Sequence, residues 1–300
     1  MFSGLSAFPL TPLHDDALDE RAYAAMVGRL ASSGVDSITA LGSTGAYAYL
    51  SLDERRRAAR VAAEQAGDVP LIVGVGALRT SSVLRLAEDA ADVGAAAVLV
   101  APMSYLPLTD DDVLGLYADV ASIGLPVIVY DNPGTTHFTF TDELYGRVTQ
   151  LPSIVSIKIP GVPPDLASAE RRIRDVRAVA PPHVTVGISG DSSAATGLIA
   201  GCDGWYSVIA GTIPGPALTI MRAMHRGDAD AALAESARLQ PLWNLFARHG
   251  GSLRVVAAIA ELAGWAQQSC LPKPIRGLDA AARAEVAEVV ERLDLLQSGE

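Results

Sequence analysis

Eight short apolar runs, each followed by a longer stretch, recur along the 300-residue chain, most of them roughly thirty residues apart. The runs occupy 4–8, 37–41, 71–75, 97–101, 127–130, 154–158, 184–188 and 204–208. Most are continuous rather than alternating, the pattern of parallel strands buried on both faces. Between them lie amphipathic stretches such as 18–32, 52–66, 82–93, 111–122 and 164–179. The spacing suits βαβ crossovers, because parallel neighbours need a long connection. Helix starts carry matching chemistry. Ser51-Leu52-Asp53-Glu54 reads as a capping box, and Thr109-Asp110-Asp111 and Thr141-Asp142-Glu143 place acids in a first turn. Eight such units predict an α/β fold, a (β/α)8 TIM barrel. A doubly wound sheet is the competing arrangement, but no G-x-G-x-x-G turn follows the first run, and Gly74-Val75-Gly76 is too short to be one.

After Ile213 the pattern changes. Pro214-Gly215-Pro216 reads as a breaker, and helical segments over 217–225, 229–246, 252–263 and 279–296 follow. The division expected is a barrel over 1–222 and a C-terminal helical domain over 223–300. Half the residues are hydrophobic and 19% charged, which excludes a disordered chain. A net charge of −11 leaves no basic surplus for a nucleic-acid backbone. Two cysteines, Cys202 and Cys270, exclude a disulfide scaffold, and no His/Asp/Glu cluster has metal-ligand spacing. The N-terminus lacks the basic region and apolar run of a signal peptide, and no eighteen-residue apolar stretch occurs. The expectation is a cytoplasmic protein with no membrane span, no metal and no cofactor.

The positive charges are unevenly chosen. Twenty-one are arginines and only two are lysines, Lys158 and Lys273. Lysine, unlike arginine, can lose its proton near neutral pH. Lys158 ends the sixth run, where a TIM barrel places its reactive groups, and alternation puts Ile154, Ser156 and Lys158 on one face. An amine held there is poorly solvated, its pKa falls, and it can attack a ketone to form an imine. A snorkelling lysine or a partner for a buried carboxylate is the competing role, but arginine would serve either, and this chain prefers arginine. Tyr130 ends the neighbouring fifth run, roughly 5 Å away across a parallel pair, so its phenol can move protons as an imine forms. Gly42-Ser43-Thr44-Gly45 follows the second run. Its two glycines are expected to let backbone N–H groups converge on a carboxylate, with the hydroxyls adding donors. Lys273, between two prolines, reads as a surface residue, and Asp191 as a structural cap of the helix after the seventh run.

These sites, in this order, resemble the dihydrodipicolinate synthase / N-acetylneuraminate lyase family of Schiff-base aldolases. The resemblance rests on Phe8-Pro9-Leu10-Thr11-Pro12, Gly42-Ser43-Thr44-Gly45, Gly74-Val75-Gly76-Ala77, Tyr130-Asp131-Asn132-Pro133, Ile157-Lys158, Ser189-Gly190-Asp191 and Leu271-Pro272-Lys273-Pro274. It implies a metal-independent class I lyase acting on pyruvate or a related 2-oxo acid. Lys158 would be the imine lysine and Tyr130 the proton-relay tyrosine. Ser43 and Thr44 would hold the carboxylate, Thr44 also serving the relay. It further implies a homo-oligomer, a dimer or a tetramer built as a dimer of dimers. Thr135 stands where the family's synthases carry an arginine for a second carboxylate, and Ala46 follows Gly45 where members often have Glu. Ser104 stands at the place of an inter-subunit tyrosine, with Tyr105 one residue on as the possible substitute. Thr135, His137 and Ser207 are further substrate-binding candidates, and Ser104, Thr135, Thr136 and Ser192 suggest a polar second substrate. Two other functions compete: the 4-hydroxy-tetrahydrodipicolinate (dihydrodipicolinate) synthase reaction itself, and a catalytically silent barrel that binds a 2-oxo acid.

Overall fold

The computed structural model describes residues 2–296. All eight runs form strands: β1 Gly4–Ala7, β2 Ser37–Ala40, β3 Leu71–Gly74, β4 Ala97–Val100, β5 Val127–Tyr130, β6 Ile154–Ile159, β7 Thr185–Ile188 and β8 Gly204–Ser207. A helix follows each in turn: α1 Glu20–Ala31, α2 Leu52–Ala66, α3 Thr80–Asp92, α4 Asp110–Ala121, α5 Asp142–Val148, α6 Leu166–Val179, α7 Ala194–Ile199 and α8 Pro214–His225. Every neighbouring pair is parallel, and β1 pairs with both β2 and β8, so the sheet closes into the (β/α)8 barrel. Its strands are almost wholly buried, which is why they read as unbroken apolar runs.

Helix entries follow the local chemistry. Ser51 and Glu54 form the capping box at α2, and Thr109 and Asp112 form a second at α4. Asp19, Thr141 and Asp165 cap α1, α5 and α6 through their side chains. The barrel interior holds a polar layer below its mouth. Ser6 Oγ and Thr39 Oγ1 lie 2.7 Å apart, and Ser156 Oγ lies 2.8 Å from the Tyr206 hydroxyl. Gly187 makes room for the Tyr206 ring, which a side chain there would strike.

Four helices complete the chain: α9 Ala229–Arg238, α10 Gln240–Arg248, α11 Leu253–Leu262 and α12 Ala280–Arg292. A small apolar cluster of Leu10, Met26, Val256, Ala257, Ala260, Ala266, Cys270 and Leu271 ties this part to the first βα unit. Three expectations are corrected here. The stretch 229–246 is two helices, because Pro241 lacks the N–H that a continuous helix needs and would press on the Ala237 carbonyl. Pro214-Gly215-Pro216 is the first turn of α8, where proline's fixed φ is favourable, and not a break. The stretch 18–32 begins as a strand: Leu13–His14 pairs with Ala17–Leu18 in a hairpin, and Asp19 then opens α1.

Candidate active site

β5 and β6 are in a register that sets Tyr130 directly beside Lys158. Lys158 shares a face with Ser156, whose hydroxyl belongs to the interior polar layer, so its side chain rises from that layer. It is 4% exposed, and its Nζ lies 4.0 Å from the Tyr130 ring centroid and 5.5 Å from that of Phe8. Desolvation lowers its pKa from the ordinary value of 10.5, with the Tyr130 phenol and then Asp191 and Asp131 opposing that shift.

The Tyr130 hydroxyl is held from two sides. Ser43 Oγ lies 2.9 Å away, and Asn132 Nδ2 donates to the phenol oxygen at 2.8 Å. Thr44 is buried next to Ser43 but is not part of this cluster, so the hydroxyl that touches the phenol is that of Ser43. The 42–45 loop differs from expectation in its torsions. The left-handed residues are Leu41 and Ala46, with φ of 58° and 51°, and neither glycine is left-handed. The glycines instead allow close approach: a Cβ on Gly42 would lie 2.5 Å from Phe8 Cδ1, and one on Gly45 3.0 Å from Thr11 Oγ1. The amides of Ser43 and Thr44 donate to no protein acceptor among the described residues.

A buried amine of lowered pKa, a fixed phenol and two free amides together fit a carbonyl compound bearing a carboxylate. The sequence profile of the Dihydrodipicolinate synthetase family matches residues 1–293. The chain belongs to that family. It is therefore a class I, Schiff-base-forming lyase. A dihydrodipicolinate synthase from Agrobacterium tumefaciens C58 is 43% identical, with a TM-score of 0.92 over 97% of this chain and 98% of that one. The 4-hydroxy-tetrahydrodipicolinate synthase of Acidiphilium cryptum is 31% identical over 99% of this chain and all of its own length. A prophage protein of the dihydrodipicolinic acid synthase family from E. coli K12, solved with pyruvate, is 25% identical, with a TM-score of 0.90 over 98% of this chain and 99% of that one.

The other candidates are dispersed around this centre. Thr135 and His137 are exposed on the one-turn helix Pro133–Thr136 and its end, and the Thr135 hydroxyl donates to the Asn132 carbonyl at 3.3 Å. Ser207 is fully buried and accepts from the Ala210 amide at 3.0 Å, closing the turn after β8. Tyr105 is 92% exposed, apart from its own chain's Lys158 cluster. Lys273 is exposed, as expected. Asp191 is structural, but not as a helix cap. Its oxygens accept from Trp205 Nε1 and the amides of Val208 and Ile209, pinning the end of β8 to the start of the turn after β7.

Several residues of the site escaped the sequence reading. Asn132 lies two positions after Tyr130, so period-two alternation would have put both on one side. The Asp131 carboxylate accepts the Tyr145 hydroxyl at 2.5 Å. Burial raises the pKa of that carboxylate, opposed by the Tyr145 bond and then by the charges of Arg172 and Lys158. Arg55 is buried and donates to the carbonyls of Gly74 and Gly76, both at 2.9 Å. It shares the buried face of α2 with Ala58, Ala59 and Ala62, a helical spacing that marks it among three consecutive arginines.

Proposed function

We propose that the chain binds pyruvate or a related 2-oxo acid as an imine on Lys158 and makes or breaks a bond next to the former carbonyl. The observation that carries this reading is the buried Lys158 amine beside the doubly anchored phenol of Tyr130. The neutral amine attacks C2 of the oxo acid to give a carbinolamine. Tyr130, in contact with Ser43, delivers a proton to the departing oxygen, which leaves as water. The protonated imine then withdraws electrons, so C3 can lose a proton or a carbon substituent and become an enamine. The free amides of Ser43 and Thr44 suit the substrate carboxylate. The relay role expected of Thr44 fits Ser43 better, because Ser43 makes the contact with the phenol. Thr135 and His137, at the one-turn helix after β5, and Ser104, after β4, follow strand ends where a second substrate would be read, whereas Ser207 acts on the backbone of its own turn.

We assign this chemistry to the barrel of 1–222, with the C-terminal helical part from 223 onward packed on its first βα unit through Leu10 and Met26. We assign the enzyme to the cytoplasm, in keeping with two buried free thiols, Cys202 and Cys270. We also assign it to a homo-oligomer, because the neighbouring loops after β2, β3 and β4 each expose large apolar side chains: Tyr49, Leu78, and Tyr105 with Leu106.

Borohydride added with pyruvate should trap a covalent adduct on Lys158, and Lys158→Arg should trap none. An adduct on Lys273, or none in the wild type, would overturn the reading. The synthase reaction itself is the second reading, favoured by relatives of that name matched along nearly the whole chain. Turnover of pyruvate with aspartate semialdehyde, compared with 2-oxo-3-deoxy sugar acids, decides between them. Thr135 in place of a carboxylate-binding arginine favours the sugar acids.

A further inference from the structure

A second phenol faces the same end of the barrel. Tyr47 opens the 3-10 turn Tyr47–Tyr49 just after the 42–45 loop, and its ring is buried. The left-handed Ala46 turns the chain immediately before it. Its hydroxyl ends over the β3 and β4 termini: a Cβ on Gly76 would lie 3.2 Å from Tyr47 Oη and 3.1 Å from the Ala101 carbonyl oxygen. Gly76 therefore leaves the space that the phenol takes.

Two features mark this phenol. The hydroxyls of Tyr117, Tyr145 and Tyr206 each bond a protein partner, whereas that of Tyr47, like that of Tyr23 on α1, has none among the described residues. The buried guanidinium of Arg55 lies 5.1 Å from the Tyr47 ring centroid, and its hydrogen-bond partners among the described residues are the Gly74 and Gly76 carbonyls, with no carboxylate. A desolvated cation neutralised only by two carbonyls and a ring is costly to keep, which points to a use for its charge.

Resting on the imine reading above, we propose that Tyr47 is the second proton carrier of the Lys158 site, supplied by the same chain, with Arg55 as its positioning residue. The chemistry needs two proton movements on different atoms. One proton goes to the carbinolamine oxygen, the task of Tyr130. The other leaves C3 when the enamine forms. In that step the C3–H bond breaks and its electron pair becomes the C2=C3 bond. The C=N electron pair returns to nitrogen and cancels the iminium charge. The proton passes to the Tyr47 oxygen as that phenol releases its own proton to water. The phenol is suited to passing a proton and not to standing ionised: burial raises its pKa, as does nearby Tyr130, and only Arg55 opposes this. With Tyr47 in place, the exposed Tyr105 is not needed for this step.

The test uses the full-length enzyme and pyruvate alone. Exchange of the pyruvate methyl protons in D2O, followed by proton NMR, reports the C3 step, while borohydride trapping reports the imine. Tyr47→Phe should slow exchange about tenfold or more and leave the fraction trapped at saturating pyruvate unchanged. Tyr105→Phe should change neither. Tyr47→His should restore part of the lost exchange, with a rate that follows imidazole titration, a result that a packing role would not give. Exchange in Tyr47→Phe slowed by less than tenfold overturns the proposal, as does a tenfold loss in Tyr105→Phe alone, which would assign the carrier to a second copy. If Tyr47→Phe loses trapping together with exchange, the histidine variant decides: recovery supports the proposal and no recovery overturns it. Absence of trapping in the wild type is a separate outcome, the failure of the imine reading itself.

Discussion

Lys158 and Asp191 are both buried at the top of the barrel, yet burial acts on them in opposite directions. Desolvation lowers the pKa of the amine and raises that of the carboxyl, because it disfavours whichever form is charged. For Lys158 the unfolded chain binds more protons between the lowered folded value and 10.5, so stability rises with pH across that window. The same titration governs reactivity. The rate of adduct formation with pyruvate should climb with pH through an apparent pKa below 10.5, measured by stopped-time borohydride quenching; a midpoint at or above 10.5 would contradict the buried, lowered amine. Three donors converge on Asp191, and Asp191→Ala would strand Trp205 Nε1 and two backbone amides. We expect it to lose about 3 kcal/mol of stability in urea unfolding with an unchanged m-value.

At the scale of elements, the loop after β2 shows how one short motif can be recognised for the wrong physical reason. Gly42-Ser43-Thr44-Gly45 is visible in the sequence, but the left-handed torsions fall on Leu41 and Ala46, and the glycines serve close packing against Phe8 and Thr11. Only the positions of Phe8 and Thr11, distant in sequence, decide that. Gly42→Ala should therefore displace Phe8, one of the two rings flanking the Lys158 amine. The expected outcome is a loss of about 1–3 kcal/mol in thermal or urea unfolding, together with slower adduct formation. Helix α2 is the opposite case. Its capping box and its buried stripe of Arg55, Ala58, Ala59 and Ala62 can both be read by period. Ser51→Ala should cost about 1 kcal/mol, seen as a lower Tm without effect on trapping.

For the whole molecule, closure of the sheet brings the ends of all eight strands together and makes one site from residues as much as 150 positions apart. Ser43 meets Tyr130 across 87 positions, and Lys158 reaches Phe8 across 150. The exposed apolar side chains on the loops after β2, β3 and β4 belong to this scale as well. Leu78→Asp combined with Leu106→Asp should shift the mass in sedimentation equilibrium toward the 31.2 kDa of one chain. A wild-type protein that already sediments as one chain would remove the oligomer assignment. The double variant should still be trapped by borohydride with pyruvate, since Lys158, Tyr130, Ser43 and Tyr47 all come from one chain.

Periodicity determined the eight strands and their order, because a strand buried on both faces must be apolar throughout and parallel neighbours must be joined by helices. The scarcity of lysine marked Lys158, and the strand-end position of Tyr130 placed it alongside. Contacts made by folding decided the rest. The Ser43 hydroxyl, and not that of Thr44, meets the phenol; Asp191 anchors β8 instead of capping a helix; Thr135 and His137 stay at the rim. Each of these depends on which distant backbone or ring occupies the neighbouring space, and local sequence carries period and propensity but no record of what comes to lie across the barrel.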